Sequence, residues 1–265
     1  MNGVLVWRHV AVFLLGAWLV FPVLAAGLPI TTRDQAQAEI EQYDRLLRQR
    51  PQDPSLYLQR GVLYFAQQDF ERAIDDFNRA IQLEPRLDEA FYQRGLALGR
   101  AGRIEEGIVD LDEFIRRRPD SSAAYTKRGV RYIWLGKFEA AERDLKRAVE
   151  LDPANAEAHD DLGVVLARRG EVRRAAYHFS TCIRLDPSYQ KAYHNLAMAH
   201  FMMGDNPRAL AAIEAGLALD AGHRGSLLMK ALIVEAMGDE AQAKALRRQA
   251  EFLPESNWSE RLEVK

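Results

Sequence analysis

The chain has 265 residues, 48% hydrophobic and 28% charged, with a net charge of −2 at neutral pH. That is enough apolar material for a sizeable core, and the balanced charge leaves no electrostatic footprint for nucleic acid or another polyanion. The one cysteine, Cys182, excludes an internal disulfide. In chain order, residues 1–25 carry Arg8, an unbroken apolar run from Val10 to Phe21, then Pro22 and the small-residue end Val23-Leu24-Ala25. This reads as a secretory signal cut after Ala25. The uncharged run continues to Ile30 and is also long enough to remain as a membrane anchor. Either way the rest is expected to be exported, soluble after cleavage or held at a membrane by its amino-terminal segment. Residues 26–33 read as a linker. Residues 34–53 read as a capping helix, Asp34–Arg50, with a stripe of Ile40, Tyr43, Leu46 and Leu47 closed by Pro51.

The segment Ser122–Pro153 displays the pattern on which the remaining chain is built. Tyr125, Gly129 and Tyr132 share one helical face until Gly136 breaks it; Phe138, Ala141, Leu145 and Ala148 stripe a second helix that Pro153 ends. A shift of 34 residues reproduces the pattern. One frame back stand Phe91, Gly95, Leu98, Gly102, Gly107, Leu111, Phe114 and Pro119, and two back Tyr57, Gly61, Tyr64, Gln68, Ala73, Phe77, Ala80 and Pro85. Forward come His159, Gly163, Leu166, Gly170, Ala175, Phe179, Cys182 and Pro187, then Tyr193, Ala197, His200, Gly204, Ala209, Ile213, Gly216 and Ala221. The units are 54–87, 88–121, 122–155, 156–189, 190–223 and a worn sixth, 224–254, with a tail at 255–265. Small residues at the eighth and twentieth places let the two helices of a unit lie close. Cys182 occupies a core place and reads as a small buried residue. This period and pattern resemble the tetratricopeptide repeat family. The resemblance implies an all-α, right-handed α-solenoid of antiparallel helix pairs, five clear repeats and a degenerate sixth over 54–254.

Comparison among the units predicts one interaction directly. The seventh place holds Arg60, Arg94 and Arg128, while the twenty-third holds Asp76, Asp110 and Asp144. In the next two units the pairs become Leu162 with His178 and Leu196 with Ala212, so the charges leave together. An arginine–aspartate pair is therefore expected between the two helices of each early unit. The last segment, Asp239–Phe252, puts Arg247 where earlier units carry Phe or Leu and reads as a solvated closing helix. In the tail, Trp258 reads as packing back on the fold, and Asn257-Trp258-Ser259 is an acceptor triplet of a kind common by chance.

By the resemblance, first helices line a concave groove whose ligand contacts come from the second, fifth, ninth, twelfth and thirteenth places. Those here are Leu58, Phe65, Tyr92, Leu96, Arg100, Thr126, Ile133, Trp134, Asp160, Arg168, His194, Met198 and Phe201, with Val62, Val130 and Val164 read as packing between helices. The set is mostly apolar and aromatic with isolated charges, which suits a protein or peptide partner. The family's lysine–asparagine carboxylate clamp is absent, since Leu58/Val62, Tyr92/Leu96 and Thr126/Val130 hold its places. Four histidines fall between 159 and 200; His178 and His194 lie on neighbouring helices, but metal binding needs three or four converging ligands and none is assigned. Arg116-Arg117-Arg118 and Arg173-Arg174 read as solvated faces. No nucleophile–base arrangement, phosphate-cradling loop or strand pattern is present, and no cofactor is expected. The leading expectation is a non-catalytic adaptor resembling periplasmic repeat adaptors of envelope machinery. A self-assembling homo-oligomeric scaffold and a histidine-based enzyme or metal regulator are the alternatives.

Overall fold

A computed structural model describes residues 33–254. The segment read as signal or anchor, most of the linker, and Trp258 with the tail lie outside the described residues. A leading helix, α1 (Arg33–Gln49), precedes six antiparallel pairs: α2 (Pro54–Ala66) with α3 (Phe70–Leu83), α4 (Asp88–Arg100) with α5 (Ile104–Arg117), α6 (Ser122–Trp134) with α7 (Phe138–Leu151), α8 (Ala156–Arg168) with α9 (Val172–Leu185), α10 (Gln190–Met202) with α11 (Asn206–Leu219), and α12 (Arg224–Ala236) with α13 (Glu240–Glu251). No strand occurs among the described residues.

Local chemistry sets where each helix begins and ends. Asp53, Ser121 and Asn155 cap α2, α6 and α8 by accepting backbone N–H bonds from Ser55, Ala124 and Ala158. The turn inside each pair needs a left-handed residue, and five of the six turns supply glycine: Gly102, Gly136, Gly170, Gly204 and Gly238, at φ from 69° to 93°. The first turn has Gln68 there, at φ 62°. The left-handed conformation costs a side chain roughly 1–2 kcal/mol, against the ~0.5–1 kcal/mol that glycine loses in chain entropy. Gln68→Gly is therefore expected to stabilise the protein by about 0.5–1 kcal/mol, read as a higher urea midpoint at unchanged slope.

The pairs stack into two layers. The second helices before α13 bury the same places, as in Ala73, Phe77 and Ala80 of α3, Ala141, Leu145 and Ala148 of α7, and Ala175, Phe179 and Cys182 of α9. Burial pushes the Cys182 thiol up to about 12, so it stays protonated and unreactive. Successive first helices touch one another (α2 with α4, α4 with α6, α6 with α8, α8 with α10, α10 with α12), whereas no two second helices do. First helices therefore form the inner layer of a curved stack. The leading helix buries Ala36, Ile40 and Leu47 and packs on α2. The last described helix, α13, buries only Ala243 and Ala250, and Arg247 pairs with Glu235 in solvent.

The fourth place also holds the joints between units. Tyr57 and Tyr193 donate their hydroxyls to the carbonyls of Pro51 and Pro187 at 3.1 Å, and His159 Nε2 lies 3.2 Å from the Pro153 carbonyl. Phe91 has no such group. There Arg117 stacks on the Phe91 ring at 4.6 Å and donates to the Pro85 carbonyl at 2.9 Å. The basic run at 116–118 is thus structural: Arg116 and Arg117 pair with Glu113, and Arg117 and Arg118 with Asp88.

Candidate functional site: the inner groove

The expected arginine–aspartate pairs are present and form forks. Arg60, Arg94 and Arg128 each grip the two carboxylate oxygens of Asp76, Asp110 and Asp144 at 2.6–2.8 Å. Each arginine also donates its remaining Nη to the preceding unit, at Asp44, Asn78 and Asp112 respectively, at 2.6–2.7 Å. Each fork therefore ties three helices, two within the unit and one before it. These groups tie the scaffold together and leave the inner layer's exposed side chains unengaged by the forks.

Inner-layer residues separate by depth. Trp134, Arg168 and Met198 are exposed, while Phe65, Leu96, Arg100, Ile133, His194 and Phe201 are half-buried along the groove wall. Three expected groove residues are not on the open surface. Leu58 is buried in the first apolar cluster. Thr126 is fully buried, donates to the Ser122 carbonyl at 3.0 Å and accepts from Asn155 at 3.1 Å. Asp160 is fully buried and salt-bridged to Lys191 at 2.9 Å. The next first helix lies over the fifth place in these units and closes it. Tyr92 is half-buried with its ring 5.0 Å from that of Phe114, and burial pushes its phenol up to about 12, so it serves packing at least as much as contact. Val62 and Val164 pack against the core clusters as expected.

Beneath the groove floor runs a polar seam. Lys127 pairs with Glu157 at 2.6 Å, and Lys191 bridges Asp160 and Asp161 at 2.9 and 3.2 Å. Asn195 donates to Asp160 at 2.9 Å. Burial, reinforced by the adjoining Asp160 and opposed by Lys191, raises Asp161 to about 6. Downstream the groove turns apolar. Val164, Ala167, Arg168, His194, Met198 and Met202 line a cleft of about 500 Å³.

Arg131 is the residue that the expectations missed. It stands at the tenth place, where other units have Leu63, Ala97, Val165, Ala199 and Ile233. A single charge at an otherwise apolar place was the available signal. The side chain is 4% exposed, lies 4.9 Å from the Trp134 ring centroid, and donates to the Leu96 carbonyl at 3.2 Å. Gly99 makes its room: a Cβ there would sit 2.6 Å from Arg131 Nε.

The histidines pair differently from expectation. His178 meets His159, Nδ1 to Nδ1 at 3.0 Å, while His194 faces His223 with ring centroids 6.3 Å apart. Burial first, then the adjoining His159, holds His178 down to about 4, and burial also lowers His159. A base whose folded pKa is depressed stabilises the fold above its unfolded pKa of ~6.5, and that contribution fades as pH falls through about 4. The His178 imidazole resonances are accordingly expected to titrate well below pH 6 in the folded protein, and His178→Ala should flatten the loss of melting temperature between pH 6.5 and 4. A normal titration near 6.5 contradicts the pairing. No group of three metal-ligating side chains converges among the described residues.

Fold and groove together define a helical-repeat solenoid with an open inner face. Family models match twice, as a tetratricopeptide repeat over residues 63–128 and as a TPR repeat over residues 129–170. The chain is a tetratricopeptide repeat protein. Its structure is similar to a tetratricopeptide repeat protein from Parabacteroides merdae, with a TM-score of 0.68, 20% identity, and coverage of 85% of this chain and 89% of that one. It is similar to pilF of Pseudomonas aeruginosa at TM-score 0.68 and 16% identity, covering 75% and 90%. YrrB, described as a TPR protein with an unusual peptide-binding site, aligns at TM-score 0.54 and 21% identity over 71% and 97%. At these identities the likeness is one of fold. A search of curated proteins finds no match.

Proposed function

We propose that this protein is a non-catalytic adaptor that holds a protein or peptide partner in its inner groove, exported and acting in a cell-envelope assembly. The observation that carries the reading is the distribution of exposed large apolar side chains. Trp134, Met198, Met202, Leu228 and Leu232 all project from first helices, with Met203 and Met237 at the ends of two of them, whereas the second helices expose scattered ones, Val109, Tyr177, Leu219 at the end of α11 and Phe252 at the end of α13. An aromatic and methionine-rich strip open on a rigid concave face is costly in water unless a partner covers it. The peptide-binding site described for YrrB supports the same use of the fold. The amino-terminal apolar segment, cleaved or retained, supports export.

The test is capture of a partner from extract by wild type and by Trp134→Ala/Met198→Ala, with Val109→Ala/Tyr177→Ala as the outer-layer control. Loss only in the inner variant, at unchanged helical circular dichroism, supports the groove; equal retention by both variants refutes it. Fractionation of cells shows whether the chain is exported, and recovery of all of it in the cytoplasmic fraction would refute that part.

A further inference from the structure

The inner layer holds a buried cation that the fold itself leaves without a carboxylate. Arg131 is almost wholly buried, and among the described residues no carboxylate pairs with it. Its Nε has no hydrogen-bond partner, and its Nη atoms reach only the backbone carbonyls of Leu96 and Lys127, at 3.2 and 3.4 Å. The carboxylates whose field reaches it, Glu157 and Asp161, are already bound to Lys127 and Lys191. Arg100 adds positive charge on the same side. Burying a guanidinium without a paired anion is destabilising, and hydrophobic residues stand at the same place in five other units. The molecule also keeps Gly99 to make the space. A feature that costs stability twice and lies beside the exposed Trp134 belongs to recognition.

We propose that the groove's partner segment presents an aspartate or glutamate side chain to Arg131 beside Trp134, and apolar residues to the cleft around Met198 and Met202. This rests on the inner groove being the binding face. The occupant is thus an acidic–apolar peptide segment. Its carboxylate supplies the anion that no described residue offers, in a site screened from water where a charge-assisted bond is strong. The methionines take varied apolar side chains because their thioethers adapt. Burial lowers Arg131 to about 10, which leaves it cationic at neutral pH.

The probe is an array of 12-residue peptides with acetylated and amidated ends, so that no terminal carboxylate is present. Each apolar sequence is synthesised with glutamate, with glutamine and with lysine at one position. The full chain, wild type and Arg131→Leu, is applied to it. Wild type is expected to bind the best glutamate peptides at least about tenfold more tightly than their glutamine partners, a difference of about 1.4 kcal/mol. The preference should shrink as salt is raised. Arg131→Leu should lose the preference, keep the weaker apolar binding, and melt no lower than wild type. Equal binding of glutamate and glutamine peptides by wild type, or a preference that survives Arg131→Leu, overturns the proposal while the groove reading stands. Absence of binding to any peptide removes the groove reading and the proposal together. If Arg131→Leu melts lower than wild type, the salt dependence of wild-type binding decides: an acid preference that ignores salt overturns the proposal.

Discussion

Replacing Arg94 with leucine is expected to destabilise the protein by about 3 kcal/mol. Breaking a buried ion pair from one side typically costs ~3–5 kcal/mol, because the remaining charge is stranded. Asp110 keeps only 6% of its side chain exposed, but Arg94 keeps 22%, which argues for the lower end of that range. Asn78 loses its donor as well. For a chain of this size the loss corresponds to a fall in melting temperature of roughly 6–12 °C. The double variant Arg94→Leu/Asp110→Ala recreates the Leu196/Ala212 arrangement that the fifth unit already uses. It should recover most of the loss, giving a coupling of at least about 2 kcal/mol in a double-mutant cycle. Additive single costs would show that the forks hold nothing together.

Gly107→Ala is expected to destabilise by about 2 kcal/mol, although every other unit has alanine at that place (Ala73, Ala141, Ala175, Ala209 and Ala243). A Cβ at 107 would lie 2.7 Å from the Gly95 carbonyl oxygen and 3.2 Å from the Gly99 backbone nitrogen. Both neighbours are backbone and cannot rotate aside, so the overpacking cost lies near the upper end of ~1–3 kcal/mol. Helix propensity returns only ~1 kcal/mol. Here the two helices approach through facing glycines, Gly95 and Gly107, closer than in the neighbouring units. A melting temperature equal to or above wild type would show that α4 can move away from α5 at little cost.

The scaffold was legible because its physics recurs. Small residues at Gly61, Gly129 and Gly163 face Phe77, Leu145 and Phe179 at distances a Cβ would violate, and a glycine or alanine returns at that place in every unit. The forks were legible for the same reason, since Arg94 with Asp110 could be compared with Leu196 and Ala212 inside one chain. Their third members, Asp44, Asn78 and Asp112, were not, because the contact crosses from one unit to the previous one and depends on how the pairs are staggered. Stagger also decided that His178 meets His159 and that Thr126 and Asp160 are buried under the next helix. Arg131 was missed for another reason. Its significance lies in the carboxylate that does not meet it, and a sequence pattern does not display a missing contact.

Recognition by the inner layer can be read directly by crosslinking. A photoreactive benzoyl-phenylalanine placed at Met198, on the groove, or at Tyr177, on the outer layer, tests this in the full-length chain in its own cells. A specific protein adduct is expected from position 198, abolished when Trp134→Ala is added, with none from position 177. The same adduct from position 177, or one from position 198 that ignores Trp134→Ala, would contradict it.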